Sequence, residues 1–318
     1  MVDIKIWLKT LIAAVVMMIT IGGATRLTHS GLSMAEWKPL SVLPPLSQQT
    51  WEKEFDLYKK TPEYKQVNKG MSLGKFKEIY WWEYGHRLLG KFVGLLVILP
   101  LFFLFKNIPT WLKKRLILIF TLGGLQGIIG WWMVKSGLKA TPAVSHIRLC
   151  AHFIMAFFIL SALLMSLWKM EGKIFKKIHP RNITLLVLIA LTIVYGTFVA
   201  GLKAGLIYNT FPLMEGQWIP AEWNFYNPFW KNFINNQVTV QWLHRLLALT
   251  TLSYVTFLWI KYGSLYRNLV IIIAAQLALG IMTLLFYIPI AISLCHQGWA
   301  IVVWVKSLKI NYSEKWGL

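Results

Sequence analysis

The sequence predicts an all-α integral membrane protein: eight transmembrane helices in two tandem four-helix bundles, related by a pseudo-two-fold axis along the membrane normal. Three observations lead there. Of 318 residues, 57% are hydrophobic and only 14% are charged, with a positive mean hydropathy, a balance that excludes an ordinary soluble domain. Apolar runs recur at the length of about 20 residues that crosses about 30 Å of hydrocarbon. Short motifs of the first half also return in the same order in the second, as a duplicated unit requires.

The runs are 7–25, 84–105, 115–134, 147–168, 183–203, 239–260, 267–286 and 288–305. The first is longer than the core of a signal peptide and reads as an anchor. The last two are separated only by a tight turn near Tyr287 to Pro289. Basic residues set the orientation: Lys5, Lys9, Lys113, Lys114, Arg115, Lys173, Arg181, Lys261 and Lys309 fall in connectors on one side, which the positive-inside rule makes cytoplasmic. Both termini then lie in the cytoplasm or matrix. Topology thereby accounts for the formal charge of +21, so nucleic acid is not an expected partner, whereas membrane lipid is. The connector 26–83 mixes Lys and Glu and is expected to form an extracytoplasmic cap, with 207–237 as its counterpart. Cys150 and Cys295 lie inside apolar runs and read as small buried residues, not as a disulfide or zinc pair. The expected halves are 1–178 and 179–318.

The repeat is carried by specific residues. "HRLLG" at 86–90 returns as "HRLLA" at 244–248, "QGIIG" at 126–130 resembles "QLALG" at 276–280, and the interval from Gly22 to Gly31-Leu32 recurs from Gly196 to Gly205-Leu206. Parallel repeats of this kind share one orientation in the membrane. His86, His152, His244 and His296 occupy the four even spans, each within two or three turns of the outer end. In an up-down-up-down bundle the second and fourth helices are diagonal neighbours, so each half offers two imidazoles to one central object. An intramembrane histidine pair suits the two axial positions of a haem iron. The competing reading is a polar packing residue, and four matched positions weaken it. Zinc or copper fits less well, because no thiolate or carboxylate completes either pair. Gly22, Gly23, Gly123, Gly124, Gly127, Gly130 and Gly196 on the odd spans are expected to leave room for a flat macrocycle.

Arg87 and Arg245 follow the first histidine of each half and have two readings, pairing with haem propionates or snorkelling to headgroups. Three residues before those histidines the halves differ, with Glu83 in one and Gln241 in the other. That spacing places either side chain one turn above the histidine on the same face. A carboxylate in a low-dielectric pocket takes part in proton transfer and an amide does not, so the first half reads as reactive and the second as a redox or structural site. A solvated place at the membrane surface is the plainer reading of Glu83. His29 and His146 belong to outer connectors and point to rim roles, and His179 to a basic cytoplasmic loop.

"GGATRLTHSGLSMAEWKP" at 22–39, "IYWWEYGHRLLG" at 79–90 and "QWLHRLLA" at 241–248 closely resemble the haem A synthase family in its eight-span proteobacterial and mitochondrial form. The resemblance implies a substrate haem O between His86 and His152, and a haem b cofactor ligated by His244 and His296. It implies a catalytic role for Glu83 in oxidising a ring methyl of haem O to a formyl group by successive hydroxylations, with haem b transferring electrons. Its further implications are a bacterial or mitochondrial inner membrane and haem O synthase as upstream partner; the electron acceptor and the choice between monomer and homo-oligomer are not identified by the sequence. Some family members carry a cysteine pair in an outer loop, and this chain has none there. Two other classes compete: a di-haem cytochrome that only passes electrons, for instance to or from quinone, and a haem transporter. The Glu83/Gln241 difference argues against the first, and four histidines on one side of the membrane argue against the second.

Overall fold

The computed structural model describes residues 4–37, 43–103, 108–175 and 178–313. Lys38 and Pro39 of the first motif lie outside them. The chain forms two compact units, Met1–Ser166 and Leu167–Leu318.

The first unit holds α1 (Ile4–Leu27), α2 (Gln48–Lys59), α3 (Pro62–Gln66), α4 (Leu73–Phe103), α5 (Thr110–Gly137) and most of α6 (His146–Met170). α1 packs on α4, and α4 on α5. Trp7 ties the first pair, its indole donating to the Leu96 carbonyl at 2.9 Å. Leu8 and Leu11 of α1, Leu112 and Leu116 of α5, and Leu160 and Leu163 of α6 are fully buried. All six lie at the end expected to face the cytoplasm.

The connector 26–83, expected on the outer side, is largely folded among its described residues. Ser47 and Thr50 form a capping box that starts α2, satisfying backbone donors that a helix start leaves free. Trp51, Phe55 and Tyr58 of α2 then bury against Phe76 and Tyr80. Those two residues, four apart, continue as a helical stripe into Tyr84, which stacks on Tyr80 with ring centroids 6.2 Å apart. For this reason α4 begins at Leu73, a full eleven residues before the expected span at 84. Burial between Asn68 and Glu63, to which its hydroxyl is hydrogen-bonded, pushes the Tyr58 phenol well above its ordinary range.

The second unit continues with β1 (Ile174–Phe175), α7 (Pro180–Gly201), α8 (Asn232–Asn235), α9 (Gln237–Tyr262), α10 (Arg267–Leu285), α11 (Ile290–Lys309) and β2 (Tyr312–Ser313), which pairs antiparallel with β1. Pro180 at the first helical position and the His179 ring, which accepts from Arg181 N, start α7. His179 is therefore a cap. α7 packs on α9 and α11, and α10 packs on the same two helices, so α9 and α11 stand diagonally. Leu185, Ile189, Val255, Leu258, Tyr266, Leu269, Ile273 and Val303 from all four helices form one buried cluster. Val255 is eleven residues beyond His244, about 16 Å along α9, so this core again lies at the end remote from the histidines. Tyr287 and Ile288 take left-handed φ values of 58° and 62°, closing the expected tight turn between α10 and α11.

Between α7 and α9 the backbone is organised by two asparagines. Asn232, fully buried, accepts from Tyr226 N at 2.8 Å and donates to the carbonyls of Tyr226 and Phe229 at 2.8 and 2.9 Å. Asn236 caps α9, accepting from Val238 N, and donates to Glu222 O at 2.7 Å. Asn232→Ala removes three hydrogen bonds to the backbone of Tyr226 and Phe229, each contributing about 0.5–1.5 kcal/mol net. The expected result is faster proteolytic nicking within 207–231 of the purified protein.

Seven described helices, α1, α5, α6, α7, α9, α10 and α11, are long and apolar enough to cross a membrane. The expected second span falls on α4, the longest helix at 31 residues. The protein is thus a multi-pass, all-α membrane protein apart from the two-residue strands. One expectation fails. Cys150 is buried but Cys295 is exposed on α11, because α11 buries only Ile301, Val303 and Ser307, so its N-terminal half leaves residues such as Cys295 uncovered.

Candidate active site

Each of the four histidines is seated on a glycine of the preceding long helix. A Cβ built on Gly130, Gly196 or Gly280 would lie 2.9 Å from Cε1 of His152, His244 or His296, and one on Gly22 would lie 3.1 Å from His86 Nε2. At Gly130, Gly196 and Gly280 a side chain would force the ring to move, and at Gly22 the fit is tight. The expectation that odd-helix glycines make room for a macrocycle therefore divides. Gly22, Gly130 and Gly196 receive imidazoles, whereas Gly123, Gly124 and Gly127 of α5 face open space within 4 Å.

At the histidine level α5, α9, α10 and α11 stop burying residues, while α1 keeps Gly23, Ala24 and Thr25 buried and α7 keeps Thr197. Residues 121–132 of α5, 242–250 of α9, 274–285 of α10 and 290–300 of α11 include no fully buried residue. Polar atoms at this level lack partners. His152 Nδ1, His296 Nδ1, Gln126 Oε1, Gln276 Oε1, Gln241 Oε1, Ser293 Oγ and Arg245 Nε are buried without one among the described residues. Native interiors rarely leave such atoms unpaired, so a polar or metal-bearing ligand at this level fits the donors present. No group of three or more His, Cys, Asp or Glu able to hold a bare metal ion occurs among the described residues, and two imidazoles per unit suit an iron that brings its own equatorial nitrogens.

Four residues before each seat glycine stands a residue that reaches the next helix in three cases of four. Gln126 donates to the His152 carbonyl at 3.0 Å, and Gln276 to the His296 carbonyl at 3.1 Å. The Thr192 carbonyl accepts from His244 Nδ1 at 3.0 Å, the hydrogen bond that fixes the tautomer of a ligating imidazole and frees its Nε2. At the fourth place is Met18.

Glu83 and Arg87 act on the segment after α1. The Glu83 carboxylate is 3% exposed and accepts from Ser33 Oγ and Met34 N at 2.8 Å each, and from Arg87 Nη2 at 2.6 Å. Arg87 also donates to the carbonyls of Met34 and Glu36. A solvated surface place for Glu83 is thereby ruled out. In the second unit Gln241 donates to Tyr208 O at 3.0 Å, and Arg245 to the carbonyls of Tyr208 and Thr210 at 2.8 and 2.7 Å. In both units, then, an i, i+4 pair straps the segment that follows the glycine-bearing helix. The corner before each strap repeats as well: His29 and Lys203, seven residues past Gly22 and Gly196, are both left-handed, with φ of 53° and 55°. The residues three before the four histidines are Glu83, Leu149, Gln241 and Ser293, so one of the four positions is ionisable.

The family model for "Cytochrome oxidase assembly protein" matches residues 5–308. The chain is 43% identical to a haem A synthase of Rhodopseudomonas palustris (strain TIE-1), covering 94% of this chain and 86% of the relative. It is also 43% identical to the haem A synthases of Nitrosospira multiformis, over 97% of this chain and 92% of the relative, and Parvibaculum lavamentivorans, over 93% and 90%. The chain belongs to the haem A synthase family.

For this haem A synthase family member, the residues missed by reading the sequence are Ser33, Gln126, Thr192, Gln276 and Gly280 in their structural roles. A signal for most of them was present. The odd helices read M-I-T-I-G, Q-G-I-I-G, T-I-V-Y-G and Q-L-A-L-G, and each histidine has Gly or Ala four residues later, at Gly90, Ala156, Ala248 and Ala300. A small residue there exposes the histidine's own carbonyl to the neighbouring helix. Two consequences are measurable. Gly196→Ala forces a methyl into the His244 ring and is expected to lower the haem content of the purified protein, read as pyridine haemochrome per chain; the overpacking costs about 1–3 kcal/mol. Arg87→Ala strands a buried carboxylate and is expected to destabilise by about 3–5 kcal/mol, whereas Arg245→Ala strands none. Thermal unfolding in detergent should rank the two accordingly.

Proposed function

We propose that the protein is a membrane oxidoreductase that converts a ring methyl of haem O to the formyl group of haem A by successive hydroxylations. In this reading His86 and His152 hold haem O in the first unit, and His244 and His296 ligate haem b in the second. The observation that carries it is the duplicated glycine-seated histidine pair with a buried carboxylate in one unit only. Electron transfer alone gives no reason for that difference. Bound there, the haems would supply the redox chemistry, with electron transfer as the part of haem b.

The chain's own residues do the rest. The imidazoles fix the position of the macrocycle. Glu83 takes up protons released near the reacting methyl, its charge held in place by Arg87, Ser33 and Met34 N. Arg245 Nε, the guanidinium donor left over from the loop carbonyls, is our choice for a propionate, with Arg87 in the same role at the first rim. Eight spans, with α4 as the second, form two four-helix bundles, 1–178 and 179–318, repeated about an axis along the membrane normal. The diagonal placing of α9 and α11 supports this for the second. The setting is a bacterial or mitochondrial inner membrane with both termini inside and haem O synthase upstream.

Haem extraction from the purified protein tests the reading. Haem b together with haem O, haem A or a hydroxylated intermediate is expected, and haem b alone would favour the di-haem cytochrome. Topology is tested separately by a cysteine at Lys59 in a Cys150→Ser, Cys295→Ser background. It should react with an impermeant reagent from the outer side, and labelling only from the cytoplasmic side would overturn the orientation.

A further inference from the structure

We infer that His86 is the exchangeable axial ligand of the protein, and that Met18 makes it so by withholding a lock that the other three histidines possess. The inference rests on the proposed assignment of the two histidine pairs.

The four seats are copies, which makes their differences informative. In three of them the residue four before the glycine bridges to the histidine: Gln126 to the His152 backbone, Gln276 to the His296 backbone, and the Thr192 carbonyl to the His244 ring. Two of these bonds hold the histidine's backbone turn against the neighbouring helix and the third holds the ring itself, so a turn that shifts its histidine off the iron has to break its bond. His86 has no hydrogen bond among the described residues. Its counterpart Met18 offers no N–H or O–H donor, and its Cε packs toward Gly90, 3.5 Å from where a Cβ there would lie. The ring also sits differently. His86 presents Nε2 to its glycine, whereas the other three present Cε1.

The access needed for a lock exists on α4 nonetheless. Gly90 stands where Ala156 and Ala300 stand in the two glutamine-locked seats, leaving the His86 carbonyl approachable from α1. What is lacking is the donor. A resident cofactor gains from two fixed ligands, but a substrate that enters and leaves as product has to be released by at least one. The unlocked histidine is in the unit assigned to the substrate.

Carbon monoxide tests this, because it binds a reduced haem iron only when an axial ligand leaves. The full-length protein with both haems bound is reduced with dithionite and mixed with carbon monoxide. One haem of the two should react. Met18→Gln, which copies the glutamine seats, should slow that reaction about fivefold, the factor expected for one net hydrogen bond, while Met18→Leu should leave it unchanged. Gln276→Met should make the second haem reactive. Reaction of neither haem or of both in the wild type, or an unchanged rate in Met18→Gln with its low-spin spectrum intact, would overturn the inference. If Met18→Gln does not assemble, Gln276→Met decides, and a second haem still inert in that variant overturns it equally. Failure of the underlying assignment looks different: the wild type would lack two low-spin haem signals before any gas is added.

Discussion

Glu83→Gln is expected to bind haem normally and to make little haem A, with haem O or a partly oxidised intermediate accumulating. General acid–base groups contribute about 10²–10⁴-fold in rate, and the loss should fall in that range. The substitution copies Gln241, the residue at the matching position of the second unit, where an amide satisfies the strap by donating to Tyr208 O. Its amide oxygen can keep the bonds from Ser33 and Met34 N. Its NH2 then faces Arg87, which already donates to two loop carbonyls and can shift onto them, much as Arg245 does. Because Glu83 also holds a loop, Ser33→Ala is the necessary companion. It removes one strap bond and keeps the charge, so its activity should stay within a few fold of wild type. Equal losses in the two variants would make Glu83 a positioning residue, and normal haem A formation in Glu83→Gln would remove it from the chemistry.

His244→Ala and His296→Ala are each expected to abolish the low-spin haem b spectrum. Removing one of two axial imidazoles opens a coordination position, and in these seats it also leaves a hole beside a glycine that no neighbouring side chain fills. The expected readout is a high-spin spectrum or loss of haem b from the purified variant, with the first unit's haem retained. An unchanged low-spin spectrum in both variants would take the second unit out of the cofactor assignment.

Much of this site was legible before the fold. Histidine spacing, the HRLL repeat and the Glu83/Gln241 difference are local patterns, and spacing along a helix fixes depth and face without knowledge of the partners. Whatever depends on a partner helix was not legible. That Gly130 serves His152 and not a ligand is decided by a 2.9 Å approach across two helices, and nothing in "QGIIG" alone distinguishes the two. Glu83 shows the same limit. Its distance from His86 in sequence suggested a side chain free to act, whereas its bonds to Ser33 and Met34, about fifty residues away, reveal a carboxylate that also anchors the outer segment. The early start of α4 has a similar cause, since Phe76 and Tyr80 become helical through burial against α2, a contact outside any window of the span.

The measurement closest to the central claim is made in cells lacking haem A but able to make haem O. The full-length protein is expressed there and the membrane haems are extracted and identified by mass. Haem A, with hydroxylated haem O as a minor species, is the predicted result, together with its loss in Glu83→Gln at equal protein level. Haem O left unchanged by a wild-type protein that carries both low-spin haems would contradict the account.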